Sequence, residues 1–229
     1  MIQVLLGAMI ADADRVAQAR ANKEPVLREM CQRAGLAYPP KAIFLRVFKK
    51  ERVLEVWGGA KAGGAMRLLQ TYPIAAMSGG PGPKRKEGDR QVPEGCYVID
   101  RFNPQSSYHL SLRVSYPNAS DRVFADKAAP GGDIYIHGNQ VSIGCLAMTD
   151  DKIEEIYVLA WNVRRTTIPV HIFPAKRYDH QIKSNPSEDT RNLWSDLIPI
   201  QHAFDKSRVV PKVKIGKDGR HRLQEPRTK

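Results

Sequence analysis

Hydrophobic positions along this chain gather in short runs separated by charged or glycine-rich turns. Ala42–Phe48 and Arg52–Trp57 are aliphatic, β-branched and aromatic runs on either side of Lys49-Lys50-Glu51, a pattern that predicts a β-hairpin. Leu68–Met77, Cys96–Asp100, Tyr108–Ser115, Asp133–His137 and Ile168–Phe173 continue the strand series. His109 falls among the alternating positions of the Tyr108–Ser115 run and reads as a strand residue with a structural or surface role, or otherwise as a contact in a substrate groove. Residues 14–35 have a helical period, with Val16, Ala19, Val26 and Met30 as the apolar positions, Pro25 expected to break the run and Gly35 to end it. Asp150–Arg164 predicts the clearest helix: Ile153, Ile156, Tyr157, Ala160 and Val163 form one stripe, and Thr149, Asp150 and Asp151 suit its start. A further helix is expected over Ser187–Phe204, and Lys217-Asp218-Gly219-Arg220 is a turn signal able to close a small hairpin. Residues 78–94 hold four glycines and three prolines and read as a loop, and Tyr38-Pro39-Pro40 as a linker.

Composition adds bounds. At 229 residues, with 42% apolar and 26% charged positions, the chain is globular in character and long enough to bury a core. No run approaches the roughly 20 apolar residues that span a bilayer. Ile2–Ala11 is apolar and Ala11-Asp12-Ala13 resembles a cleavage site, yet no positive segment precedes it, so it reads either as an altered export signal or as the first helix. The formal charge of +12 is concentrated at one end, where residues 206–229 hold nine basic and two acidic side chains. Such a tail is a solvated, partly mobile extension or a means of attraction to an acidic polymer. Nucleic acid fits poorly, because the tail offers no aromatic side chain for bases to stack on.

The chemistry points to residues 133–148, DIYIHGNQVSIGCLAM. A strand-like run delivers His137, and eight positions later comes Cys145, preceded by Ser142-Ile143-Gly144. A thiol nucleophile needs a base at hydrogen-bond reach. Gly138 lets the chain turn after the histidine, and its carbonyl or a neighbouring one is placed to accept the other ring N–H and fix the tautomer. Gly144 permits close backbone approach, so the amides of Gly144 and Cys145 are candidate oxyanion donors. Asn139 and Gln140 either position substrate or shape the turn. By spacing alone, a small hydrophobic role for Cys145 stays open. Cys31, Cys96 and Cys145 have no metal-type spacing, and Cys96 reads as a core residue.

The run IHGNQVSIGCLAMTDDKIEEIY resembles the active-site segment of the L,D-transpeptidase (YkuD-type) catalytic domain family, and within it the YafK-like branch. The likeness extends to Phe48-Lys49-Lys50-Glu51-Arg52, to Ser78-Gly79-Gly80-Pro81-Gly82-Pro83-Lys84 with Gly88-Asp89 and Pro93-Glu94-Gly95, and to Tyr116-Pro117-Asn118-Ala119-Ser120-Asp121-Arg122. It implies a mainly β (α+β) catalytic domain, a β-sandwich or barrel with one principal helix after the nucleophile, over residues 41–174. Residues 1–40 would be a helical extension or signal remnant, and 175–229 a helical and basic extension. By the family's roles, Cys145 attacks the carbonyl joining the L-centre of meso-diaminopimelate to D-alanine, His137 activates it, Ser142 and Gly138 support the site, and the backbone at Gly144 holds the oxyanion. Tyr108, Arg122 and Asn139 are candidate substrate contacts, Arg122 because guanidinium binds carboxylates bidentately. No metal or organic cofactor is implied. The expected partners are peptidoglycan stem peptides, and possible further ones a wall-anchored lipoprotein, in the periplasm or cell envelope.

Alternatives remain open at this level. An amidase or carboxypeptidase would hydrolyse the same material, releasing a lipoprotein or acting as a secreted wall-targeting effector. Ala147 stands where many members carry arginine, and the His137-to-Cys145 spacing is shorter than in the commoner branch, so the fate of the acyl group is not fixed by pattern. A basic wall-binding module with an inert cysteine is the non-enzymatic reading.

Overall fold

The computed structural model describes residues 2–177 and 186–224, with side chains from residue 15 onward. The elements are α1 (Ile2–Arg33), β1 (Ala42–Phe48), β2 (Val53–Gly59), β3 (Met66–Pro73), β4 (Gly95–Asn103), β5 (Ser111–Val114), α2 (Ala119–Phe124), β6 (Tyr135–His137), β7 (Leu146–Ala147), α3 (Asp150–Asn162), β8 (Pro169–Phe173), α4 (Glu188–Ser207), β9 (Val213–Ile215) and β10 (His221–Leu223). The architecture is mainly β, in the α+β class. Eight strands form one mixed sheet in the order β3-β2-β1-β8-β4-β5-β6-β7, and β9 pairs with β10 in a separate hairpin.

β1 shows why the sheet is central. All seven of its residues are buried. Ile43, Leu45 and Val47 join the main core with residues of α1 and α3, whereas Phe44 and Phe48 pack with residues of α4. Successive side chains point to opposite faces, so a strand covered on both sides must be apolar at nearly every position. The exception is Arg46, whose guanidinium pairs with Glu55 at 2.9 Å and Asp205 at 2.6 Å.

β4 bends the sheet toward the site. Gly95–Val98 pairs with β8, whereas Ile99–Asn103 pairs with β5, with an irregular register between Ile99 and Arg101. A bulge of this kind turns a strand and lets it serve two sheet segments. The short strands β5, β6 and β7 continue beyond the bend, and α3 follows at once. Thr149 caps α3, its hydroxyl accepting from Lys152, and Ile153, Ile156, Tyr157 and Ala160 are buried as the stripe predicts.

Several expectations need correction. Pro25 does not break α1, which runs to Arg33. The ring lies on the exposed side, so the carbonyl it frees can be hydrated, while buried Ala19 and Leu27 hold the helix on either side. Gly35 does end the helix: at φ +67° it closes a Schellman turn through Leu36 N to Cys31 O (2.8 Å) and Gly35 N to Gln32 O (2.9 Å). His109 is not in a strand; β5 begins only at Ser111. The third strand ends at Pro73 rather than Met77.

The basic end is a docked element as far as it is described. Arg220 pairs with Asp196 of α4 at 2.6 Å, and His221 is buried. The expected turn at residues 217–220 does join β9 to β10. Residues 178–185 and 225–229 of the expected extension lie outside the described residues, as does Met1.

Lys49 and Glu94 are wholly buried and paired at 3.1 Å. The ammonium also donates to the carbonyls of Gly82 and Val92, and the carboxylate accepts from Gly82 N and from Trp194 Nε1 of α4 at 2.7 Å. The 78–94 loop is therefore pinned at both ends to the core and to α4.

Candidate active site

β6 and β7 run parallel with His137 opposite Ala147, which sets Cys145 one residue before β7 beside the β6 segment. The register brings the histidine and the cysteine onto the same small patch of sheet. His137 is buried, and its Nδ1 lies 2.6 Å from the Gly138 carbonyl oxygen. A carbonyl oxygen only accepts, so Nδ1 carries the hydrogen and the neutral ring keeps its lone pair at Nε2. Burial lowers the imidazole pKa, and the Gly138 bond partly opposes that shift.

Gly138 has little room for anything larger. A Cβ there would stand 2.7 Å from Tyr108 O and 3.0 Å from His109 Cβ, with Asp150 also in the way. Asp150 then holds the next residue, accepting from Asn139 N at 2.7 Å, while Asn139 itself sits at φ +61°. The turn after His137 is thus fixed by the start of α3.

Cys145 is half-buried. Its thiol donates to Asp133 O at 3.5 Å. Burial raises the thiol pKa; the Tyr135 backbone lowers it, Asp133 raises it, and the charge of Lys84 lowers it. Both shifts favour the uncharged forms, the thiol and the neutral imidazole.

Ser142 organises the turn before the cysteine. Its hydroxyl donates to Cys145 O at 2.6 Å and accepts from Cys145 N at 3.0 Å and Gly144 N at 3.3 Å. The two candidate oxyanion amides are therefore directed at the serine oxygen in this structure. Gly144 adopts φ +132°, a conformation open mainly to glycine. Ile143, in the same loop, is 83% exposed, an unusual position for a large aliphatic side chain.

The other candidates separate. Tyr108, 44% exposed, lies over the imidazole with its ring centroid 4.7 Å from that of His137 at 33°. Arg122 is an exposed residue of α2, with no described contact to His137 or Cys145. His109 Nε2 contacts Glu154 Oε1 at 2.9 Å, away from the thiol. Sequence reasoning missed Lys84, a buried residue bonded to Asp89 at 2.7 Å whose charge reaches Cys145, and Asp150 as a backbone clamp. The Lys84–Asp89 spacing within a loop was the available signal for the first. Among the described residues no cluster of three His, Cys, Asp or Glu side chains is arranged to hold a metal ion.

Residues 43–172 match the model of the L,D-transpeptidase catalytic domain, YkuD. The chain is 33% identical over 189 residues to "Putative L,D-transpeptidase YafK" of Escherichia coli (strain K12), covering 80% of this chain and 74% of that protein. Among solved structures, the helical cell shape determining protein Pgp2 (K307A mutant) from Campylobacter jejuni aligns at 22% identity and a TM-score of 0.48, over 72% of this chain and 56% of that one. Bd1075 of Bdellovibrio bacteriovorus aligns at 23% identity and a TM-score of 0.42, over 59% and 49%. The chain thus spans about half the length of the solved chains it matches.

Proposed function

The chain belongs to the L,D-transpeptidase catalytic domain family, and from that premise we propose that it acts on peptidoglycan stem peptides through a thioester on Cys145. The observation that carries this reading is the 2.6 Å contact from His137 Nδ1 to Gly138 O, which leaves Nε2 as a free base on the patch of sheet that holds the thiol. Because burial raises the thiol and lowers the imidazole, proton transfer to Nε2 accompanies attack rather than preceding it. Sγ bonds to the carbonyl carbon at the L-centre of meso-diaminopimelate, the bond to D-alanine breaks, and the leaving amine takes the proton back from Nε2. An acceptor amine then resolves the thioester, regenerating the thiol. Gly144 and Cys145 N–H reach the oxyanion by exchanging the Ser142 oxygen for it. Tyr108 and Asn139 border the acyl-donor position. The site of action in this reading is the periplasm or cell envelope, where the polymer lies.

Incubating the purified protein with muropeptides and following products by mass spectrometry tests the reading. A cross-linked product with loss of D-alanine, and an acyl adduct on Cys145, are expected. Water as the acceptor would give the trimmed peptide alone and make the enzyme a hydrolase of the same bonds. Unchanged muropeptides, with no adduct from them or from a carbapenem, would overturn it.

A further inference from the structure

Arg15 of α1 stands well before residue 43, where the family match begins. Its Nη1 reaches three backbone carbonyls of one loop, Pro104 O at 2.8 Å, Ser106 O at 3.2 Å and His109 O at 2.7 Å. Three carbonyl dipoles converging on one point repel one another unless a cation sits between them, so the loop's shape depends on this guanidinium. The same loop carries Tyr108.

We propose that Arg15 is a positioning residue for the active-site imidazole, acting through the 104–109 loop and the ring of Tyr108. The inference rests on His137 being the base. Tyr108 is nearly half exposed, so burial alone does little to fix its ring over His137. What fixes it is the backbone. Tyr108 N donates to Ser106 Oγ at 3.1 Å, and His109 is held at φ +71°, a conformation costly for a residue with a side chain. His109 is held there from two sides, by Arg15 at its carbonyl and by Glu154 of α3 at its ring. Lys23, two turns further along α1, pairs with Asp151 and lies 3.9 Å from Glu154, tying the helix to the same end of α3. The loop reaches the imidazole once directly and once through Gly138. The Tyr108 ring covers one face, and the Tyr108 carbonyl and His109 Cβ crowd Gly138, whose own oxygen holds Nδ1.

A base that must meet a thiol proton tolerates little displacement; a 1 Å error costs up to about 100-fold. Arg15→Ala, at an exposed helical position where alanine is well tolerated, should lower kcat about tenfold and leave KM within about twofold. By NMR the His137 ring protons, shielded in the parent by the tyrosine ring current, should move to the positions seen in Tyr108→Leu, with an unchanged melting temperature. Arg15→Lys should recover part of both effects. Parental kcat together with parental ring shifts in Arg15→Ala would overturn the proposal. His137→Ala is measured alongside: a parental rate there removes the general-base reading, while the ring shifts alone still decide whether Arg15 positions the imidazole. If Arg15→Ala melts early, Arg15→Gln repeats the test with the side-chain length largely kept.

Discussion

Among the described residues the sheet sets a histidine near a cysteine in two places, and the two pairs differ in their makings for chemistry. His137 ends the short strand β6, and Cys145 immediately precedes β7. His171 of β8 stands directly opposite Cys96 of β4 in the antiparallel register. Both histidines are buried. The differences lie in what surrounds them. His137 donates from Nδ1 to a carbonyl and stacks under a half-exposed tyrosine, beside a glycine-preceded loop. His171 Nδ1 has no hydrogen-bond partner among the described residues, and its ring meets the edges of Phe44 at 4.9 Å and Phe173 at 6.0 Å. Burial, with the nearby charges of His221 and Arg46 adding to it, drives the His171 pKa down to about 3; Cys96 is pushed far above the ordinary thiol range by burial alone. Proximity of the two residue types is thus insufficient. An oriented ring separates a candidate site from core packing.

The sharpest way to break this contrast is to remove the sulfurs. Cys145→Ala should bring turnover of muropeptides to background with the fold intact, whereas Cys96→Ala and Cys31→Ala keep most of it. Activity surviving in Cys145→Ala would end the distinction between the pairs. Next come the histidines. His137→Ala should lower kcat by about 100-fold or more, the usual scale for a general base. His171→Gln should leave kcat per folded molecule near the parental value, and His109→Ala, which frees the Tyr108 loop from Glu154, should cost less than His137→Ala.

Alkylation by iodoacetamide measures access and ionisation together. Because the Cys145 pKa is raised, its labelling rate should climb steeply with pH through and above the ordinary thiol range, without a plateau near neutrality. Cys96, whose thiol pKa burial pushes much higher, should label far more slowly in the native protein. A fast, pH-independent reaction of Cys145 near pH 6 would contradict the thiol ground state.

Stability against acid separates the pairs again. The folded-state pKa values of His171 (about 3) and His221 (about 4) lie below the ordinary histidine value, so the unfolded chain binds more protons between those limits. Their stabilising contribution is complete above about pH 6.5 and is lost as pH falls, by up to about 1.4 kcal/mol per pH unit per histidine. Asp121, raised to about 6 by burial, has the opposite sign and offsets one proton between about pH 4 and 6. Urea titrations across pH 3–7 should therefore show a fall toward acid that flattens in His171→Gln. The smallest effect is expected far from either pair. Replacing the exposed Lys212, Lys214 and Lys217 by glutamine should weaken binding to isolated wall sacculi a few-fold at low salt and not at 1 M, where screening shortens to about 3 Å. Rates on a soluble muropeptide should not change.

Much of this was legible in the chain because local rules and tertiary packing agree there. β1, α3 and α4 follow hydrophobic period and capping residues, and the His137 turn announces itself through Gly138. The failures have physical causes. α2 is only six residues long, too short for a period, although its capping box of Asn118 and Asp121 is visible. Pro25 misled because propensity at an exposed position yields to packing on both sides. Tyr108 reads from the sequence as a substrate contact, and its place over the imidazole depends on Arg15, 93 positions earlier, which no local pattern reveals. Ser142 was expected to support the site, but that it would occupy both neighbouring amides is a matter of three-dimensional geometry.

The buried Lys49–Glu94 pair has a consequence for where this protein can be cut. The family match ends at residue 172, yet Glu94 receives a hydrogen bond from Trp194, and the two charges are sealed from water partly by α4. A fragment trimmed to the matched region would open that seal and leave an ammonium and a carboxylate with a flooded neighbour in place of an indole. The matched region is therefore shorter than the unit that keeps this charge pair dry, and anyone grafting the module onto another scaffold needs α4 to travel with it.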